Sequence, residues 1–161
     1  MTASPDSQDA TLIVESPRWR LGYRRDSRYP GLLILSSQQA VSDFSELDAA
    51  SLAELGQQLR FAEKLLQHCY APHRVVFYKL GFSAGFSLHM HIAPISHALL
   101  SEIAAHPNYS GDPDGNDAIL YLSREYGERD LRPEEQQAQR IEIARLREMA
   151  GELLRQPSNF P

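Results

Sequence analysis

Two histidines one residue apart, His89 and His91, lie in the run Leu88-His89-Met90-His91-Ile92-Ala93-Pro94. In an extended segment residues i and i+2 share a face, so Ser87, His89 and His91 project one way. Leu88, Met90 and Ile92 project the other way, which reads as the buried side. Imidazole, with an unperturbed pKa of roughly 6.5, can serve near neutrality as nucleophile, acid, base or metal ligand. Three readings follow. In the first, the pair is simply the polar face of a half-buried antiparallel strand. In the second, the pair supplies two ligands to a metal, with a third converging from elsewhere. His68, Cys69, His73, His97 and His106 are the candidates for that third ligand, and none has a spacing that strengthens the case. In the third, one imidazole attacks phosphorus to form a covalent intermediate while its neighbour stabilises or protonates the reacting group.

The preceding residues, Tyr78-Lys79-Leu80-Gly81-Phe82-Ser83-Ala84-Gly85-Phe86-Ser87, carry two glycines and several small side chains. Such a loop lets backbone amides approach an anion closely. Together with the His-x-His and with Pro94, which is expected to end the strand, it resembles the signature of the histidine triad (HIT) family, His-φ-His-φ-His-φ-φ with φ apolar. Here Ser87 occupies the place of the first histidine. Tyr29-Pro30-Gly31-Leu32-Leu33-Ile34-Leu35 is similar to the family's Pro-Gly strand, so the resemblance spans roughly residues 11–95.

The resemblance implies a HIT-like α+β fold and a nucleotide phosphohydrolase or nucleotidyl transferase. By position, His89 would be the nucleophile at the α-phosphate of a dinucleoside polyphosphate such as diadenosine tetraphosphate, a phosphoramidate or a similar nucleotide. His91 would contact the scissile phosphate. In the family a backbone carbonyl usually holds the second ring nitrogen of the nucleophile. Ser83, Ala84, Gly85 and Ser87 take the phosphate-binding positions, although Ser83 stands where many members have Gln and Ala84 where many have Ser or Thr. No cofactor and no metal are implied, and a homodimer is. The alternatives are a catalytically weak nucleotide-binding module and a metal-dependent His-x-His hydrolase.

Composition narrows the setting. A chain of 161 residues fits one domain. A net charge of -5 argues against general nucleic-acid binding, which calls for a basic excess. The one cysteine, Cys69, is compatible with a reducing compartment and reads as a half-buried spectator. Met1 to Ala10 lacks the apolar core of a signal peptide, and no run approaches the ~20 apolar residues of a membrane span. The expectation is a cytoplasmic protein without a membrane partner.

The elements that must position the histidines can be read from local pattern. Residues 1–10 read as a mobile tail, 11–105 as the HIT-like domain, and 106–161 as a C-terminal extension packed on that domain. Thr11–Glu15 reads as a strand. In Arg18–Arg24 the alternation places Trp19, Leu21 and Tyr23 on one face and Arg18, Arg20 and Arg24 on a basic outer face. Those arginines could reach a phosphate or simply be solvated. Asp26–Pro30 reads as a turn and Leu32–Leu35 as a buried strand. Asp48 caps a helix whose apolar stripe is Leu52, Leu55, Leu59, Ala62 and Leu66. Arg74–Leu80 is the next strand, and Ser96–Ala105 a short helix. Loop chemistry over 107–117 precedes a possible extra strand at Ala118–Leu122. Pro133 opens a long amphipathic helix through Ile141, Ala144, Leu146, Met149 and Leu153. Fold class is thus α+β, with one antiparallel sheet of about five strands, a main helix and a helical extension.

Overall fold

A computed structural model describes residues 10–81, 87–127 and 129–156. Five strands form one antiparallel sheet: β1 (Leu12–Glu15), β2 (Trp19–Tyr23), β3 (Leu33–Ser37), β4 (Arg74–Tyr78) and β5 (His89–Ile95), in the order β1-β2-β3-β5-β4. Among the described residues, the helices α1 (Ala49–Tyr70), α2 (His97–Ala105), α3 (Gly115–Glu125) and α4 (Pro133–Leu154) accompany them. The expected α+β class with a five-stranded antiparallel sheet is the observed one. The expected tail falls outside the described residues for positions 1–9.

Alternation divides the sheet into two chemically different faces. Trp19, Leu21 and Tyr23 of β2, Leu33 and Leu35 of β3, and Ile92 of β5 are buried together with Phe61, Ala62, Leu65 and Leu66 of α1 and Ile143, Leu146, Ala150 and Leu153 of α4. The Trp19 indole N–H donates to the Ser51 carbonyl at 3.0 Å, so the large ring enters the core with its polar atom satisfied. On the opposite face, Leu32, Tyr78, Ala93 and Ile95 pack against Leu99 and Ile103 of α2 and Ala118, Tyr121 and Leu122 of α3. That second cluster covers only one end of the face. His89 and His91 lie toward the other end, half-buried.

Asp48 caps α1 as expected, its carboxylate accepting from the Ser51 amide at 2.7 Å. The stripe differs from expectation at its start: Leu52 is exposed and Leu55 and Leu59 are half-buried, while Phe61 and Leu65 are buried. Several apolar stripes are compatible with 3.6-residue periodicity here, and contact with the sheet selects the one used.

The proposed extra strand at Ala118–Leu122 is instead the middle of α3. Asp114 accepts from the amides of Asn116 and Asp117, and Asp117 returns a bond to the Asp114 amide, a capping box that starts a helix where a turn was expected. The buried positions Ala118, Tyr121 and Leu122 then follow i, i+3, i+4 spacing. In α4, Ile141 and Ala144 face solvent and the buried row runs through Ile143, Leu146, Ala150 and Leu153.

Pro94 does not end the strand, because β5 continues to Ile95. Its carbonyl accepts from the Tyr29 hydroxyl at 2.5 Å, on the side where pairing with β3 has already stopped at Ile92. The missing N–H therefore costs no ladder bond. Among the described residues no helix is long and apolar enough to cross a membrane.

Candidate active site

The site is built on β5 and its two neighbours. His91 lies opposite Ile34 of β3 and Tyr78 of β4, and His89 lies opposite Ser36. The two imidazole centroids are 5.3 Å apart with planes at 70°. The Tyr78 ring stacks on His91 at 5.0 Å and 11°, fixing the plane of that imidazole from one side.

His89 Nδ1 lies 2.9 Å from the carbonyl oxygen of Ser87. A carbonyl only accepts, so Nδ1 carries a proton, and in the neutral ring the lone pair is on Nε2. The position of that carbonyl is set by the next residue: the Leu88 amide donates to the Val41 carbonyl at 2.6 Å, and the Leu88 carbonyl accepts from the Ser37 amide at 2.8 Å. With its side chain buried, Leu88 anchors the entry to β5. Gly81 lies against the Nε2 side of the ring, since a Cβ there would be 3.3 Å from His89 Cε1 and 3.8 Å from Nε2. Lys79 pairs with Asp43 at 3.1 Å and ties the same segment to the connection between β3 and α1.

Of the sequence-derived site residues, His89, His91 and Ser87 come together. Ser87 is exposed, and the contact seen is through its main-chain carbonyl. Ser83, Ala84 and Gly85 lie outside the described residues.

Two residues at the site were not singled out as site residues from the sequence. Arg24 continues the β2 ladder by donating its amide to the Leu32 carbonyl at 2.8 Å, and its guanidinium Nε lies 2.8 Å from Asp26 Oδ1. Burial, followed by the Arg24 cation and His89, pushes His91 down to about 4, against the pull of Asp26. Burial by itself would raise the Asp26 carboxyl, but the hydrogen bond and charge of Arg24 outweigh it and hold it below the usual carboxylate range. The alternation of Arg18, Arg20 and Arg24 was the available signal; all three pair, Arg18 with Asp48 at 3.0 Å, Arg20 with Glu15 at 3.6 Å and Arg24 with Asp26 at 2.8 Å, and Arg24 is set apart by its deeper burial and by its charge bearing on His91.

His91 is thus neutral at pH 7, with its Nδ1 buried and lacking a hydrogen-bond partner among the described residues. A histidine whose folded pKa lies below its unfolded ~6.5 binds a proton more readily in the unfolded chain. Its contribution is fully present above pH ~6.5 and is lost as pH falls toward 4. We expect stability to fall across that window by ~3 kcal/mol, read from denaturant midpoints, and His91→Asn to flatten the fall. Equal pH slopes in the two proteins would refute the assignment.

A cavity of about 250 Å³ lies elsewhere, between Tyr23, Ser27, Arg28 and Pro30 and the α4 residues Glu135, Ala138, Gln139 and Glu142. It does not adjoin the histidines. Among the described residues, no group of three or more His, Cys, Asp or Glu side chains is placed to hold a metal ion.

No family model matches the sequence, and no curated protein matches it. Solved structures do match in shape. A hypothetical histidine triad nucleotide-binding protein from Sulfolobus tokodaii superposes with a TM-score of 0.61 at 18% identity, over 93% of this chain and 89% of that one. A histidine triad protein from Bradyrhizobium japonicum gives 0.60 at 16%, over 92% and 97%. A uridylyltransferase gives 0.55 at 12%, over 91% of this chain and 43% of its own length. With the five-stranded order and the histidines on the open face of β5, the chain has the fold of the histidine triad proteins.

Proposed function

We propose that this chain is a nucleotide-binding hydrolase or nucleotidyl transferase acting on the α-phosphate of a dinucleoside polyphosphate, phosphoramidate or similar nucleotide through His89. The observation that carries the reading is the bond from His89 Nδ1 to the Ser87 carbonyl, which makes Nε2 the nucleophilic nitrogen. In the proposed step Nε2 attacks phosphorus, a P–N bond forms, and the bond from phosphorus to the leaving group breaks. The leaving group takes up a proton from solvent, while the Nδ1 proton stays on the ring. Water then attacks the same phosphorus and gives a proton back to solvent, the P–N bond breaks, and the nucleoside monophosphate leaves with His89 restored. Neutral His91, 5.3 Å from His89 between ring centres, contacts the phosphoryl group. Ser87 and the Ser83-Ala84-Gly85 segment complete the phosphate site. The fold supports this reading, because it is shared with a uridylyltransferase and with a protein described as nucleotide-binding.

The test is a covalent adduct. Protein mixed with dinucleoside polyphosphates, adenosine phosphoramidates and nucleotide sugars, quenched early and weighed intact, should gain the mass of one nucleotidyl group. A chelator should leave this unchanged, since the proposed step uses imidazole rather than a metal. Loss of turnover with chelator and its return with zinc would favour the metal-dependent reading instead.

We further propose that the chain works as a two-fold dimer. The pairing rests on the resemblance to the histidine triad family and on the Leu52–Leu66 stripe of α1, whose first residue, Leu52, is 46% exposed. Light scattering at micromolar concentration should report twice the chain mass, and a monomer would refute the pairing.

A further inference from the structure

We propose that Arg24 is the anion-binding residue of the histidine face, and that the C-terminal segment holds it there to receive the phosphate of a nucleotide. This rests on the nucleotidyl-transfer reading above for the identity of the ligand, but its geometry stands apart from that chemistry. Gly22 lies opposite Ile34, which lies opposite His91, and Arg24 follows Gly22 by two residues on the same face. Its side chain is only 16% exposed, so it is a placed group rather than a solvated surface cation.

Three contacts set that placement. Asp26 accepts from the Nε edge at 2.8 Å. Gly127, just beyond α3, lies against the other end, where a Cβ would be 3.4 Å from Nη2. The Gln139 side-chain amide on α4 donates to the main-chain carbonyls of Arg24 at 3.2 Å and Arg25 at 3.0 Å. Arg28 adds a further tie, its amide donating to the Tyr126 carbonyl at 3.1 Å. The extension beyond α2 thus carries neither histidine yet positions the cation whose charge bears on His91.

A guanidinium is planar and carries five N–H donors, so Asp26 and Gly127 can fix its orientation while the donors turned to neither remain to meet a phosphate. The charges that bear on His91 come from β2 and its turn as well as from β5. Arg24 and His89 disfavour its protonation, while Asp26 favours it. A neutral His91 beside a fixed arginine divides the work: the arginine supplies positive charge, and the imidazole contributes a hydrogen bond without a proton that must first be gained. Arg24 is the binding residue in this scheme, and Gln139 is a positioning residue.

The experiment compares wild type, Arg24→Gln, Arg24→Lys and Gln139→Ala by calorimetry with AMP, adenosine and inorganic phosphate, and by NMR titration of His91 without ligand. Arg24→Gln should weaken AMP binding about tenfold or more while leaving adenosine unchanged, as expected for the loss of one charge-assisted hydrogen bond. Arg24→Lys should recover part of the loss. In the titration, His91 should move up from about 4 toward its ordinary value in Arg24→Gln, and less far in Gln139→Ala. The unliganded titration also shows whether each variant is folded around the site. Equal loss of AMP and adenosine, no loss of either, a wild type that does not prefer AMP to adenosine, or an unmoved His91 would each overturn the proposal. AMP preference that depends on Arg24 in a protein that never forms a His89 adduct would sink the hydrolase reading and leave this one standing.

Discussion

His89→Ala should abolish formation of the nucleotidyl adduct and lower turnover by at least ~10³-fold, while the fold and most of the nucleotide affinity remain. The size follows from the role: the attacking nitrogen is removed outright, and no neighbour can replace it. His91 cannot substitute, because its ring is stacked on Tyr78 and its Nδ1 is buried. His91→Ala should therefore slow the reaction less, through loss of a phosphate contact. Ser87→His should keep or raise activity, since the Nδ1 contact of His89 is to the main-chain carbonyl at position 87 and survives a change of side chain. Early-quench mass spectrometry reports the adduct, and circular dichroism reports the fold. Identical background rates for wild type and His89→Ala across all nucleotides would return the protein to the binding-module reading.

Gly31→Ala should cost about 2–4 kcal/mol of stability, combining left-handed strain with overpacking. Gly31 has φ +80, in the region that L side chains rarely adopt. Its Cβ would lie 2.6 Å from Tyr70 Cε2 and 3.0 Å from Pro94 Cγ. Tyr70 cannot simply swing away. Its hydroxyl donates to Glu142, and the Arg145 guanidinium sits 5.1 Å over its ring. The backbone is held as well, because the Gly31 amide donates to the Tyr23 hydroxyl at 3.0 Å. This turn delivers the chain into β3, the neighbour of the histidine strand, so the damage should reach the site. Thermal unfolding should show a fall of roughly 5–15 °C for a chain of this size, and an unchanged midpoint would contradict the packing argument.

The Pro-Gly pair at 30–31 illustrates how sequence and structure divide the explanation. The pair was legible as part of a strand-entry motif, but its reason is the Tyr70 ring, nearly forty positions later in the chain. Strand alternation behaved differently. That Leu88 and Ile92 are buried while His89 and His91 face the other way follows from the two-residue period, which is local and needs no partner. The Asp48 cap and the helix starting at Pro133 were legible for the same reason, since capping acts within one turn. Ala118–Leu122 has the composition of a strand but lies in a helix, because a five-residue apolar run carries no decisive period. The deciding signal was the Asp114–Asp117 box before it, whose residue types also make turns.

The sequence by itself determined the α+β class, the two-faced strand bearing His89 and His91, and the loop and Pro-Gly motifs that resemble the histidine triad pattern. These rest on periodicities and residue types within a few positions of one another. Only the tertiary structure decided which of three arginines bears on His91, that His91 is neutral, and that Gln139 and Gly127 hold the arm carrying Arg24. Charge effects, desolvation and tertiary hydrogen bonds act through space, here from residue 24 to residues 91 and 139, and no local spacing records them.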